Sequence, residues 1–302
     1  MTAIKAITLS LGEFEKAAVS TYELGLIVNE VYKNKSFKGE AVKNLQKDSA
    51  EGLDLSRYLR TLLNEGVLFP YKDLSDIYTL LGRVDADPED IICAIDPFCY
   101  VSHLSAMSYH ALTDRIPTKI YISSPPATEW RLLAERKMIK DLGSDFEMYN
   151  RNGLPKLSRI KIKKIKKHEV KYFESKHLGS PKSVRGRSMR VSTIGRTFLE
   201  MLREPEYCGG IEHVLDVFHK YGKIYIKQIA NEIDRNGFPI DKIRAGYILD
   251  EWLGLNSEII ESWTSFAQRG GSRKLDPKSE YMHEWSEKWM ISLNVPGINN
   301  DY

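Results

Sequence analysis

The chain has 302 residues, 42% hydrophobic and 28% charged, with a formal net charge of +3, which allows about two domain cores of ordinary size. A mean hydropathy of −0.37, with no apolar run near the ~20 residues of a membrane helix, excludes an α-helical membrane protein. The small net charge hides segregation: from Arg159 to Arg190 twelve Lys and Arg stand beside two Glu, 12 − 2 = +10, so the remainder sums to 3 − 10 = −7. A cationic block in an acidic protein points to a polyanionic partner, nucleic acid above all; a lysine-protected strand edge is the plainer alternative.

Glu13 and Glu15 interrupt any signal-peptide h-region at the N-terminus. Cys93, Cys99 and Cys208 are an odd number at spacings that suit neither a disulfide framework nor zinc, so a reducing cytoplasm is expected. Ser20 and Thr21 can cap a helix carrying Leu24, Ile27, Val28 and Val31 on one face. Gly39 is expected to open a shorter helix with Val42 and Leu45 inward. Asp54 or Leu55 starts a third, burying Leu55, Leu59 and Leu62 and ending at Gly66. Residues 67–71 and 77–81, joined by a polar turn through Asp73 and Ser75, read as a β-hairpin. Three helices and a hairpin is the order of a winged helix-turn-helix, a fold used on DNA and also for protein docking.

Acid and proline at 85–90 set a boundary near Asp85. Ser102 can cap a helix running to Leu112; 117–123 alternates as a strand; 128–142 is an amphipathic helix closed by Gly143. Residues 160–173 and 190–192 read as strands, the first slipping phase at Lys164 as at a bulge. Helices follow on Ile194, Phe198 and Met201; on Ile211, Val214, Leu215 and Phe218; on Ile226, Ile229 and Ile233, ending at Gly237; and on Ile243, Tyr247 and Trp252, capped by Asp241 and closed by Gly254. Residues 290–295 could add a strand. The fold class is therefore α+β: an N-terminal winged helix-turn-helix over 1–84, a mixed α/β part over 85–192 and a helical part over 193–302.

Five runs carry a family resemblance: YVSHLSAMSYHAL at 100–112 with the strand IYIS at 120–123, VSTIGRTFLEML at 191–202, PEYCGGIE at 205–212, GYIL at 246–249 and RGGSRKLDP at 269–277. In this order they resemble the AbiEi-type antitoxins, whose N-terminal winged helix sits where this chain has its own. One departure is Thr193-Ile194-Gly195, where that family usually starts the helix with a Ser-Pro-Glu-like run. The resemblance implies a type IV toxin–antitoxin system of abortive infection against phage. In it a nucleotidyltransferase-like toxin comes from the neighbouring gene, the C-terminal domain neutralises that toxin, and the antitoxin represses its own operon by binding inverted repeats in double-stranded DNA.

On that reading Ser56, Arg57, Arg60, Thr61 and Asn64 of the third helix face base edges, and Lys43, Lys47 and Lys72 flank them from the preceding helix and the wing. Lys161, Lys163, Lys164, Lys166, Lys167 and Lys171 form a stripe, continued by Lys182, Arg185 and Arg187 in a flexible Ser/Gly-rich loop over 179–188. Six lysines on phosphates would give a salt slope of about −5. The same stripe could instead dock an acidic partner such as the toxin or tRNA.

No catalytic set or cofactor is expected. His103 and His110, and His213 and His219, lack the acids or cysteines that complete a metal site. Cys208 before Gly209-Gly210 reads as a small buried residue in a turn rather than an activated thiol. Neither a Gly-x-Gly-x-x-Gly nor a Gly-x-x-x-x-Gly-Lys-Ser/Thr run exists. The other classes in view are an enzyme, such as a phosphotransferase acting on the toxin or on nucleotides, and a non-specific nucleic-acid-binding or docking module.

Overall fold

The computed structural model describes residues 1–72, 74–83, 85–179, 181–268 and 273–298 of this mixed α/β protein. Two compact units share the chain, and each is discontinuous. The first takes 1–99, 124–167 and 183–190; the second takes 100–123, 168–182 and 191–302. Segment 1–84 thus lies wholly in the first unit and 193–302 wholly in the second, while 85–192 is divided between them.

The first unit opens with a helix that the sequence reading passed over, Ala3–Gly12, capped by the Thr2 hydroxyl and burying Ala6, Ile7 and Leu11. After the strand Val19–Ser20 comes the expected helix, Thr21–Asn34. A capping box starts it: the Ser20 hydroxyl accepts from the Glu23 N–H at 3.2 Å, and the Glu23 carboxylate accepts from the Ser20 N–H at 2.9 Å. No helix follows Gly39. Strands Ser36–Phe37 and Glu40–Ala41 instead pair around Lys38 and Gly39, whose φ values are 48° and 82°. Positive φ at both central residues is what a tight hairpin turn of this twist requires, and it is incompatible with a right-handed helix start. Val42 is buried all the same.

Helix Gly52–Asn64 and the strands Leu68–Pro70 and Ile77–Leu80 complete this part. The three strands form an antiparallel sheet in the order Val19–Ser20, Ile77–Leu80, Leu68–Pro70, with Val19 opposite Tyr78 and Leu68 opposite Leu80. The turn between the last two was expected to run through Asp73, which lies outside the described residues. Ile7, Leu24, Val28, Leu62 and Leu68 form one core, which Met138, Leu142 and Tyr149 enter from later in the chain. Those come from helices Ala127–Leu142, ended at Gly143 with φ 54°, and Phe146–Arg151. Helix Pro88–Ile95 precedes a buried Asp96, which accepts from Trp130 Nε1 at 2.9 Å. The Arg190 guanidinium closes the segment after that helix by donating to the Cys93 and Cys99 carbonyls at 2.8 and 2.9 Å.

The second unit is built on strands Tyr100–Val101, Lys119–Ser124, His168–Glu174 and Arg190–Ser192. The last lies parallel to the first, and the first antiparallel to the second. Helix Ile194–Arg203 is as expected, while His103–Tyr109 stops short of Leu112, where Ala111 has φ 53°, and the Ser102 side chain makes no capping bond. The two helices expected between 211 and 237 are one, Ile211–Asn236, 26 residues long. Its Gly222 faces Leu253 and Leu249. Asp241 is not the N-cap of the next helix, Pro239–Gly246, but its third residue. Its carboxylate accepts from the N–H of the true cap, Phe238, at 2.8 Å and from Arg203 Nη2 at 2.7 Å. A π-helical turn, Tyr247–Trp252, continues that helix. The closing strand is short, Ile291–Ser292, paired with Trp285–Ser286. Trp263 and Trp289 are fully buried in this unit's core. Residues 269–272 of the last family-like run lie outside the described residues.

Candidate nucleic-acid interface

Helix Gly52–Asn64 begins where the Asp54 carboxylate accepts from the Glu51 N–H at 3.2 Å. Leu55, Tyr58 and Leu62 turn inward, and the Tyr58 and Tyr32 hydroxyls meet at 3.2 Å. Leu59, expected in the core, is only half-buried. The opposite face carries Leu53, Ser56, Arg57, Arg60 and Asn64, all exposed, with Thr61 at its edge. That is the i, i+3, i+4, i+7 spacing of one helix face, so the residues chosen from the sequence for base contacts share one side.

They are not equally free. The Ser56 hydroxyl donates to the Gly52 carbonyl at 2.9 Å and the Thr61 hydroxyl to the Arg57 carbonyl at 3.1 Å. Arg57 pairs with Asp54 at 3.1 Å and lies 5.0 Å from the Tyr58 ring centroid. Its guanidinium is held above its ordinary pKa, chiefly by the hydrogen bond to the Tyr58 hydroxyl. Arg60 has no ion-pair partner among the described residues.

Lys43, in a turn, and Lys47 lie in the irregular stretch before this helix, because the expected helix there is replaced by the hairpin. Both are exposed, and Lys47 bridges Glu51 and Asp54, each at 3.1 Å. Those hydrogen bonds raise its pKa and commit its charge locally. Lys72 is exposed beyond strand Leu68–Pro70.

The phase slip read at Lys164 is a turn rather than a bulge. Residues 160–163 are not a strand; Lys164–Ile165 is, and the chain reverses at Lys166, with φ 50°, and Lys167 before His168–Glu174. Ile162 and Ile165 are buried, at 1% and 2% exposure, while Lys161, Lys163, Lys164, Lys166 and Lys167 are exposed. Apolar residues three apart thus anchor the segment and leave the lysines outside. Lys166 donates to the Ala86 carbonyl at 2.9 Å. In the second unit, Lys171 lies over the Tyr207 ring and Lys182 over the Tyr109 ring, 5.9 and 5.7 Å from the centroids.

The expected flexible loop over 179–188 is a short strand, Pro181–Ser183, followed by a turn at Gly186 with φ 72°; Ser180 lies outside the described residues. Arg187 pairs with Asp87 at 2.7 Å and Asp90 at 2.6 Å, and the buried Asp90 also accepts from the Met189 N–H at 2.9 Å. The Arg187 charge is therefore spent inside the first unit. The hydrogen bond that Arg187 donates to the Asp90 carboxylate is the main cause that lifts its pKa. Arg185 is exposed.

The runs at 100–112 and 191–202 meet elsewhere in the second unit, on a buried network. Arg196 is 2% exposed; its Nε lies 3.3 Å from Glu200 Oε1, and its Nη2 donates to the His177 carbonyl at 2.6 Å. The Tyr100 hydroxyl is 2.8 Å from Glu200 Oε1, and the His103 N–H donates to Glu200 Oε2 at 3.2 Å. Burial works against the Arg196 charge, yet Tyr100 and Glu200 hold its pKa above the ordinary value. His103 has φ 50°, with its ring among Phe173, Tyr207 and Tyr121. Its Nδ1 is 2.8 Å from Ser102 Oγ, while Nε2 has no partner among the described residues. Burial, with Arg196 nearby, keeps its imidazole below the usual range. A buried ionic pair at i, i+4 was present in the sequence as Arg196 and Glu200; both were read only as part of a motif.

His110 Nε2 sits 2.7 Å from the Ser192 carbonyl and His213 Nε2 2.9 Å from the Thr113 hydroxyl. No group of three or more His, Cys, Asp or Glu able to hold a metal occurs among the described residues. Cys208 is buried in the turn Pro205–Cys208, and burial pushes its thiol pKa well up, the opposite of activation. A cleft of about 580 Å³ in the first unit has an ion-paired rim: Lys16 with Glu23, Lys33 with Asp145 at 2.7 Å and Lys137 with Asp141 at 2.9 Å.

No helix of the described residues is long and apolar enough to cross a membrane. No known protein family's sequence profile matches the chain, and no curated protein matches it. Among solved structures, the RV2827C protein from Mycobacterium tuberculosis is similar at 13% identity and a TM-score of 0.47, covering 96% of this chain and 90% of that one.

Proposed function

We propose that the protein is a sequence-specific DNA-binding repressor and that helix Gly52–Asn64 enters the major groove. The observation that carries this reading is the element order of residues 1–80: helix, strand, helix, helix, strand, strand, with the first strand paired to the last and a small hairpin inserted before the third helix. That is the order of a winged helix-turn-helix, whose third helix is the one that reads base edges. The third helix here presents Arg57, Arg60 and Asn64 outward, the residue types that pair with guanine and adenine edges. The lysines of 161–167 supply sequence-independent affinity for phosphates. With the AbiEi-type resemblance, the operator is an inverted repeat upstream of the protein's own operon, and the repressor is also the antitoxin of a nucleotidyltransferase-like toxin from the adjacent gene.

A gel shift with that upstream DNA against a scrambled duplex tests the reading. Specific retention is expected, and Arg60→Ala is expected to weaken it by about 1–3 kcal/mol, roughly 5- to 150-fold, with relaxed preference at one base pair. Equal affinity for the scrambled duplex ends the reading. Co-expression with the adjacent gene's product tests the antitoxin half: growth should be restored by the full chain.

A further inference from the structure

The outward face of helix Gly52–Asn64 begins with an apolar side chain. Leu53 is 82% exposed, although most large apolar residues of this unit's helices are inside. It occupies the second position of the helix, one turn ahead of Ser56 and Arg57 and two ahead of Arg60. The polar groups nearest to it are engaged at home. The Ser56 hydroxyl donates to the Gly52 carbonyl at 2.9 Å, and the Arg57 guanidinium rests on Asp54 at 3.1 Å and over the Tyr58 ring. The first turn therefore offers a free isobutyl group where a groove-reading helix makes its base contacts with its N-terminal residues.

Among the unmodified bases only thymine presents an apolar group in the major groove, its 5-methyl. We infer that Leu53 is a specificity-determining residue that packs on the 5-methyl group of a pyrimidine, thymine in the operator. The inference rests on the DNA-binding reading above. It adds a contact to the methyl group that no hydrogen-bonding residue of the helix can make, and it places that base on the side of the site contacted by the start of the helix. Arg60 and Asn64, farther along, then choose the neighbouring purines.

The test uses the full chain and the upstream duplex, with each thymine replaced in turn by deoxyuridine, which removes the methyl group and leaves base pairing intact. At a thymine in each half-site the wild-type protein is expected to bind about fourfold more weakly, which is about 0.8 kcal/mol, the transfer value of one methyl-sized group. Leu53→Ala is expected to bind the unmodified duplex weaker by a similar factor and to be indifferent to the same replacement. The side chain is exposed, and alanine is a better helix former, so folding is not at issue. Methylating cytosines of the duplex at carbon 5 is expected to change nothing; a gain in affinity there would reassign the contact to 5-methylcytosine and overturn the thymine assignment. Specific binding that no deoxyuridine weakens, or that weakens equally for Leu53→Ala, overturns the inference and leaves the DNA-binding reading standing. Absence of specific binding to the upstream duplex overturns both.

Discussion

Arg196 and Glu200 sit one helical turn apart, 2% exposed each, with Tyr100 and the His103 backbone closing the remaining hydrogen bonds of the carboxylate. Removing one member strands the other: Arg196→Met leaves Glu200 charged in an apolar setting and is expected to cost about 3–5 kcal/mol, read as a shift of the urea midpoint. The double variant with Glu200→Leu is expected to recover much of that loss, because the cost lies in the unpaired charge rather than in the missing pair. His103 gives a pH signature of known sign. Its folded pKa lies below the ordinary value because burial disfavours the imidazolium. Above about pH 6.5 both folded and unfolded states are neutral there and the full stability is present. As pH falls through the unfolded value towards the folded one, only the unfolded chain takes up the proton, and stability drops by up to about 1.4 kcal/mol per pH unit. His103→Asn, which tolerates φ 50°, should flatten that part of a stability profile between pH 7.5 and 5.5; an unchanged slope would exonerate His103. At this scale exposure patterns were legible: Arg60 and Asn64 project outward as the 3.6-residue period requires. Arg187 was not, since its partners Asp87 and Asp90 lie about a hundred positions away.

Helices with strong local signals were legible as elements. Thr21–Asn34 has its capping box within four residues, and Ala127–Leu142 has its terminating glycine next in line. Helix Ala3–Gly12 was passed over although Thr2, Ile7 and Leu11 marked it. One error fell at a glycine, whose local meaning is ambiguous: Gly39 turns a hairpin, whereas Gly222 lies inside a helix. Space around the side chain, not the residue type, separates such cases. A Cβ at Gly222 would meet Leu253 Cδ1 at 3.3 Å, the movable end of a half-buried leucine. One at Gly246 would fall 2.1 Å from the ring of Trp289, which is fully buried. Gly222→Ala is therefore expected to be neutral or to stabilise by up to about 1 kcal/mol through helix propensity. Gly246→Ala should destabilise by about 1–3 kcal/mol through overpacking. Thermal denaturation of the two variants side by side decides whether Trp289 is as immobile as its burial implies.

On the scale of the chain, the cationic block was visible as charge but not as geometry. Lys161, Lys163, Lys164, Lys166 and Lys167 belong to the first unit, Lys171 and Lys182 to the second, and Arg185 and Arg187 to the first again. If the five lysines of 161–167 reach phosphates, log K against log salt should fall with a slope near −4.5, and reversing Lys163, Lys164 and Lys167 to glutamate should remove about 3 of it. A slope unchanged by those reversals would mean that other groups neutralise the duplex.

The chain passes from one unit to the other at 99/100, 123/124, 167/168, 182/183 and 190/191. Neither unit can then be cut out as a single fragment, and an expression vector stopping at residue 84 or 99 would lack Met138, Leu142 and Tyr149 from the first core. The same threading sets a schedule at the ribosome. About 190 residues must be synthesised before the earlier unit has all its pieces, so most of the polypeptide is already outside the exit tunnel when that unit first closes.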